Sequence, residues 1–372
     1  MKIRTVIASA AAVVLGMTLV PASTGIADAG HNPVIVPGDP VEWPLGTPGV
    51  NSMDVDAKGN AYLANLFTGG IYVSTGPGLG TFVVEPHNAY ALAVSQRAGT
   101  VYYAEQTRED YPTTAADLWL MSVPAKGGTS KRVANIGAWY KTHQTDGANR
   151  YGFVGLPASC ASQFTDPVFR RPAVRRGSDV FLPSAAVAAP DGVYIADSLK
   201  NVVMKVTYSG AISLVAVLPP EASFVAQAAF VDYWLYPSCA VGYRYIPEPR
   251  PTGIARGSDG KIYVTTVPDG AAYERPTLRG GIYRIDPATG VSTRIIGGLT
   301  GATSLAITPS GTLYVAEARG GSEDYGEVSV VRVNSRVARS LVDFGGAEHI
   351  RFQNNTLYLA QEKLWLLPLT YE

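Results

Sequence analysis

Charge is scarce in this chain. Only 16% of its 372 residues are Asp, Glu, Lys or Arg, against roughly 25% in an average soluble protein. The 30 basic residues balance 30 acidic ones, so no net field draws in nucleic acid or an anionic membrane surface. Cysteine is nearly absent: Cys160 and Cys239 stand 79 positions apart, which excludes a C-x-x-C redox or zinc motif. The four histidines, His31, His87, His143 and His349, include no H-E-x-x-H. No G-x-S-x-G elbow occurs, which argues against an α/β-hydrolase. Gly76 to Gly80 is an incomplete G-x-G-x-x-G and reads as a turn. Abundant instead are Gly (39), Pro (26) and Tyr (21). That composition excludes disorder and a helical bundle, and predicts many short strands joined by tight turns.

The first thirty residues read as a targeting segment. Lys2 and Arg4 precede an apolar stretch from Val6 to Val20, and Ala27-Asp28-Ala29 has the A-x-A form of a cleavage site. The expectation is a signal peptide over 1–29 and a secreted, extracytoplasmic protein of bacterial type, with no membrane-spanning segment after the leader is removed. In an oxidising compartment the two cysteines are expected to pair.

A phrase recurs along the rest of the chain: an apolar strand, a small turn, then Tyr, an apolar residue, a small residue and a polar one. SMDVDAKGNAYLAN, LAVSQRAGTVYYAE, AAVAAPDGVYIAD, GIARGSDGKIYVTT, LAITPSGTLYVAE and IRFQNNTLYLAQ place Tyr62, Tyr102, Tyr194, Tyr263, Tyr314 and Tyr358 at one equivalent position. Each reads as a β-hairpin with Gly, Asn or Asp in its turn. Third and fourth strands follow in several units, as in NVVMKVTY and AISLVAVL. Repeats of four antiparallel strands predict an all-β, six-bladed β-propeller over 30–372. The long Tyr spacings of 92 and 69 mark two inserts, at about 137–182 and 219–249, with cores too small to order themselves. The last unit has a third strand, Leu364 to Leu367, ended by Pro368. Its fourth strand is expected from the N-terminal segment, either Val34-Ile35-Val36 or Val41-Glu42-Trp43, closing the last blade.

PTGIARGSDGKIYVTT, GGIYRIDPATG and SLAITPSGTLYVAEARGG resemble the ScyD/ScyE family of exported bacterial proteins. That family belongs with NHL-like and SMP-30-like six-bladed propellers, and the likeness runs from Asn149 to Val333. It implies the same fold. By the further likeness to SMP-30-like propellers, it implies a metal held by carboxylates and an Asn near the channel mouth.

Four residues would supply such a site here: Asn65, Glu105, Asp197 and Glu317, phrase-final positions shared with Thr266 and Gln361. Their oxygens suit a hard cation such as Ca²⁺; the opposing reading is that they lock their own loops. His349, beside Glu348, is a candidate general base. Tyr233, Trp234, Tyr236 and Tyr243 form an aromatic run suited to stacking on a sugar, with Arg319 as an added ligand contact; the alternative role is packing the insert onto the blades. Arg170, Arg171, Arg175 and Arg176 read as a solvated loop. Both inserts leave a fourth strand for the next blade, so they share one face with the longer loops between second and third strands. Cys160 and Cys239 lie on that face in adjacent junctions, which predicts a disulfide joining the inserts. Together these features predict a monomeric binding protein for a small molecule, glycan or protein partner. The alternative is a metal-dependent hydrolase or lactonase of the SMP-30 type.

Overall fold

The computed structural model describes residues 33–44, 49–78, 80–107, 117–164, 172–178, 180–269, 279–321 and 325–372. The leader over 1–29, His31, Arg170 and Arg171 lie outside them.

Six sheets follow one another along the chain, each a meander of consecutive antiparallel strands. The first comprises Val50–Val55, Ala61–Asn65, Ile71–Ser74 and Thr81–Val84. The second comprises Ala89–Arg97, Thr100–Thr107, Leu118–Pro124 and Lys131–Asn135. The third comprises Pro183–Ala189, Gly192–Asp197, Val202–Val206 and Ile212–Val217. The fourth comprises Pro251–Arg256, Ile262–Thr266, Gly280–Ile285 and Ser292–Leu299. The fifth comprises Ala302–Ile307, Leu313–Glu317, Glu327–Val331 and Arg339–Asp343.

The sixth sheet holds His349–Gln353, Thr356–Ala360 and Leu364–Tyr371. Its outer edge is covered by both N-terminal segments rather than one: Val41–Trp43 pairs with 364–366 and Ile35–Pro37 with 369–371. Pro368 does not end the strand, as the sequence suggested. It lacks a donor, and the outer partner changes at that point, where the Gly38 N–H instead reaches the Pro368 carbonyl at 2.8 Å.

Apolar side chains fill the spaces between consecutive sheets. One buried cluster lies between the second and third sheets (Leu92, Leu118, Ile195, Met204), and others join the third to the fourth, the first to the second, and the fourth to the fifth. The fifth and sixth share a cluster that includes Ile35, and the sixth packs on the first through Met53, Leu63, Tyr358 and Leu364. The first strands touch in the same cyclic order. The repeated tyrosine belongs to this packing: Tyr62, Tyr194, Tyr314 and Tyr358 are buried in the clusters, and Tyr102 and Tyr263 pack against them. Three donate to the Asp of their own hairpin turn: Tyr194 to Asp191 at 2.8 Å, Tyr263 to Asp259 at 3.0 Å and Tyr62 to Asp56 at 3.4 Å. The Tyr358 hydroxyl instead lies over Gly59, where a Cβ would come within 2.7 Å of it at a φ of +87°. The turn of the first sheet thus requires glycine.

The Tyr phrase counts six units, and the first insert lacks it; a seventh sheet nevertheless forms, from both inserts together. Val174–Arg175 and Tyr151–Val154 of the first insert pair with Arg244–Ile246 and Phe224–Val225 of the second, in the order 174–175, 151–154, 244–246, 224–225. The inserts are therefore one module. Its core combines Phe153 and Cys160 of the first insert with Phe230, Val231 and Tyr245 of the second, so the two inserts order one another, as expected of segments whose own cores are too small. Cys160 and Cys239 form a disulfide with Cα atoms 5.8 Å apart. No described helix is long and apolar enough to cross a membrane.

Candidate functional site

Asn65, Asp197, Thr266 and Glu317 end their second strands, Glu105 lies two residues before the end of its own, and Gln361 follows directly after its strand. Asn65 Oδ1 accepts from the backbone N–H groups of Phe67 and Thr68 at 2.9 and 3.0 Å. Asp197 is fully buried. Its carboxylate accepts from the N–H groups of Leu182 (2.9 Å), Leu199 and Lys200 (both 3.1 Å), and from Tyr140 Oη (3.0 Å). Glu317 accepts from the Thr300 N–H. Glu105 Oε2 lies 2.9 Å from His87 Nε2. Thr266 donates to Glu221 at 3.1 Å, and Gln361 to Glu348 at 2.9 Å. Each side chain is thus engaged with its own loop or a neighbouring strand. Among the described residues no group of three or more His, Cys, Asp or Glu is arranged to hold a metal ion. His349 opens the first strand of the sixth sheet, and desolvation pulls its pKa down to about 4.

The aromatic run lies together on the insert module. Trp234, Tyr236 and Tyr243 pack against its core, whereas Tyr233 is 44% exposed and sits edge-on to Trp234 at 5.4 Å. Arg319 stands elsewhere, on the loop after the second strand of the fifth sheet, with its N–H on the Thr300 carbonyl. Arg175 is not a solvated charge. With Arg250 it brackets the buried carboxylates of Glu248 and Asp269: Arg175 to Glu248 is 2.8 Å, Arg250 to Asp269 is 3.0 Å, and Arg175 also pairs with Asp269. Tyr245 Oη donates to Asp269 at 3.1 Å. These groups come from both inserts and from the fourth sheet, so the cluster clamps the module onto the six-sheet body.

A cleft of about 240 Å³ opens where the first insert meets the third sheet, lined by Tyr140, Thr145, Asp146, Ser178, Phe181 and Lys200 among others. The helix Ile136–Thr142 supplies one wall. It starts where the second sheet ends, capped by Asn135 Oδ1 on the Ala138 N–H at 2.7 Å. Tyr140 is held by Asp197, and burial raises its pKa well above the ordinary value. Lys200 is buried beneath it, its Nζ 2.7 Å from the Ser178 carbonyl and 5.1 Å from the Tyr140 ring. Asp146 accepts from Asn149 (2.6 Å), Tyr151 (2.8 Å) and Asn201 (2.9 Å). Burial raises the pKa values of Asp146 and Asp197, and hydrogen bonds and the nearby Lys200 charge oppose the rise. Gly177 closes over Asp146, whose Cβ would be 2.5 Å from any Cβ added there. Thr145 Oγ1 is buried at the cleft without a hydrogen-bond partner. A buried hydroxyl with no protein partner needs one from water or from a ligand group. The sequence pointed to this face but not to these residues; Lys200 lies one turn beyond the Asp197 phrase, and that was the signal available.

No family model and no curated protein matches this chain. Solved structures do. A streptogramin B lyase superposes with a TM-score of 0.51 at 14% identity, covering 92% of this chain and 100% of that one. A gluconolactonase from Xanthomonas campestris gives 0.51 at 11%, covering 95% and 99%. The PQQ-bound aldose sugar dehydrogenase of Streptomyces coelicolor gives 0.51 at 10%, covering 90% and 98%. At these identities the likeness shows the fold, a β-propeller.

Proposed function

We propose that this chain is an exported, closed six-bladed propeller that binds a small polyhydroxylated ligand, a monosaccharide or its acid, in the cleft between inserts and blades. The blade reading is supported by six meander sheets, six intervening cores and the cyclic contacts of their first strands. The ScyD/ScyE resemblance and the disulfide support export. The observation that carries the binding reading is the unpartnered Thr145 hydroxyl in a cleft whose other walls offer a lysine, a carboxylate and an aromatic face. Mixed donors and acceptors around one ring face match a sugar better than an apolar ligand.

The test is a thermal-shift screen of the mature protein against monosaccharides and sugar acids, run beside Thr145→Val. Thr145→Val leaves stability unchanged, because no existing hydrogen bond is lost, but abolishes the shift. A panel in which no sugar shifts the protein, or shifts both forms equally, removes the reading.

The second reading is a metal-dependent lactonase using Asn65, Glu105, Asp197 and Glu317 around Ca²⁺. The gluconolactonase among its structural neighbours favours it; the engagement of all four side chains in their own loops weighs against it. Ligand binding stabilises only the folded state, so chelation that lowers the melting temperature, reversed by Ca²⁺ and absent in Glu105→Gln/Glu317→Gln, would select this reading.

A further inference from the structure

A second cavity lies away from the inserts. It is a groove of about 630 Å³ between the fourth and fifth sheets, bounded by the hairpin turns around Ser258, Ser310 and Asn334. Those turns join first to second or third to fourth strands, so they belong to the opposite face of the meander from the loops that carry the inserts. Ile295, Ile307, Leu313 and Val331 give the groove an apolar floor. Its rim is strongly one-signed: Arg284, Arg294, Arg332 and Arg336 line it against a single carboxylate, Asp259. Asp259 is already matched by Arg284 at 2.9 Å. Arg294 reaches Glu221 at 3.1 Å, and Arg332 donates to the Pro33 carbonyl at 2.5 Å. Arg336 is exposed, and among the described residues it has no ion-pair partner. With Arg284 and Arg294 matched by carboxylates, the charge that the rim presents to a ligand is that of Arg336.

We infer that this groove binds an amphipathic organic anion: a soluble monocarboxylate with an apolar tail. The tail lies along Ile295, Ile307 and Val331, and the carboxylate meets the Arg336 guanidinium, whose planar fork suits a carboxylate. The volume falls within the usual span of ligand cavities, roughly 300–1,000 Å³. An apolar floor alone would suit a neutral hydrocarbon, and the arginines alone an inorganic anion. Their conjunction selects a molecule with both parts. The site is separate from the insert cleft and stands or falls independently of it.

The experiment is isothermal titration of the full mature chain with decanoate below its micellar concentration, beside decanol and inorganic phosphate. Decanoate binds saturably, and decanol and phosphate bind at least about tenfold more weakly, a difference of one factor of ten in Kd. Arg336→Glu lowers decanoate affinity by about tenfold or more with an unchanged melting temperature, since Arg336 is a surface residue. Arg336→Lys, which keeps the charge but loses the fork, binds decanoate between wild type and Arg336→Glu. Binding of decanol as tight as decanoate, binding of phosphate alone, or decanoate affinity unmoved in Arg336→Glu would each overturn the inference.

Discussion

Glu317 shows how this fold handles a buried carboxylate. Burial raises its pKa to about 7; hydrogen bonds from Ser329 and Thr300 oppose the rise, and Glu327, its cross-strand neighbour, adds to it. A carboxyl whose folded pKa exceeds its unfolded value holds its proton longer when folded. Its contribution is therefore fully present below the unfolded value and is lost as pH rises from there through about 7. Glu317→Gln removes this dependence. The melting temperature of wild type should fall relative to Glu317→Gln between pH 4.5 and 7 and run parallel beyond. The difference is on the order of 3 kcal/mol at most. Parallel profiles throughout would mean that Glu317 is not desolvated as described. Residue-level roles were the least legible part of the sequence. The same Asp-Gly turns and Tyr strands that revealed the repeat also hid what each phrase-final side chain does. Only the partners in space, such as Leu182 and Tyr140 on Asp197, make it a loop lock.

At the scale of elements, the repeat was readable because a β-hairpin's turn chemistry and its period of two are local. The insert module was not readable, because its central pair joins residues from different inserts, 151–154 with 244–246. Nothing in either segment alone announces that partner. For the same reason Arg175, in a Pro-rich stretch, looked solvated, although its partners Glu248 and Asp269 come from other elements. The disulfide was legible, since both cysteines sit in connections of one kind on one face. Cys160 lies within the module's core, and the crosslink spans 79 positions, so removing it should cost about 2–4 kcal/mol, borne by the module. Cys160→Ser/Cys239→Ser, followed by limited proteolysis, should be cut first within 150–164 or 224–245 while the six sheets survive. Cleavage that begins in the sheets would show that the bond supports the body instead.

Across the whole molecule, the N-terminal strands cover the outer edge of the sixth sheet. Their pairing with 364–371 is extended by the reciprocal bonds of Val34 and Glu372, at 2.7 and 2.9 Å. Ile35 is buried between the fifth and sixth sheets, and Arg351 links the sixth sheet to the first through Asp54 at 3.2 Å. Deleting residues 33–44 exposes the last strand as an open edge and uncovers Ile35's share of the core. The melting temperature should fall by about 5 °C or more; unchanged unfolding would show that this edge pairing does not support the body.

The proposed binding cleft depends on that frame, because it is made where an insert meets the third sheet. Its most direct test is titration of the mature protein and of Thr145→Val with whichever sugar gives the largest thermal shift. Wild type is expected to bind it saturably and Thr145→Val about tenfold or more weakly, with the two melting temperatures equal. Equal affinity in both proteins would contradict binding in this cleft.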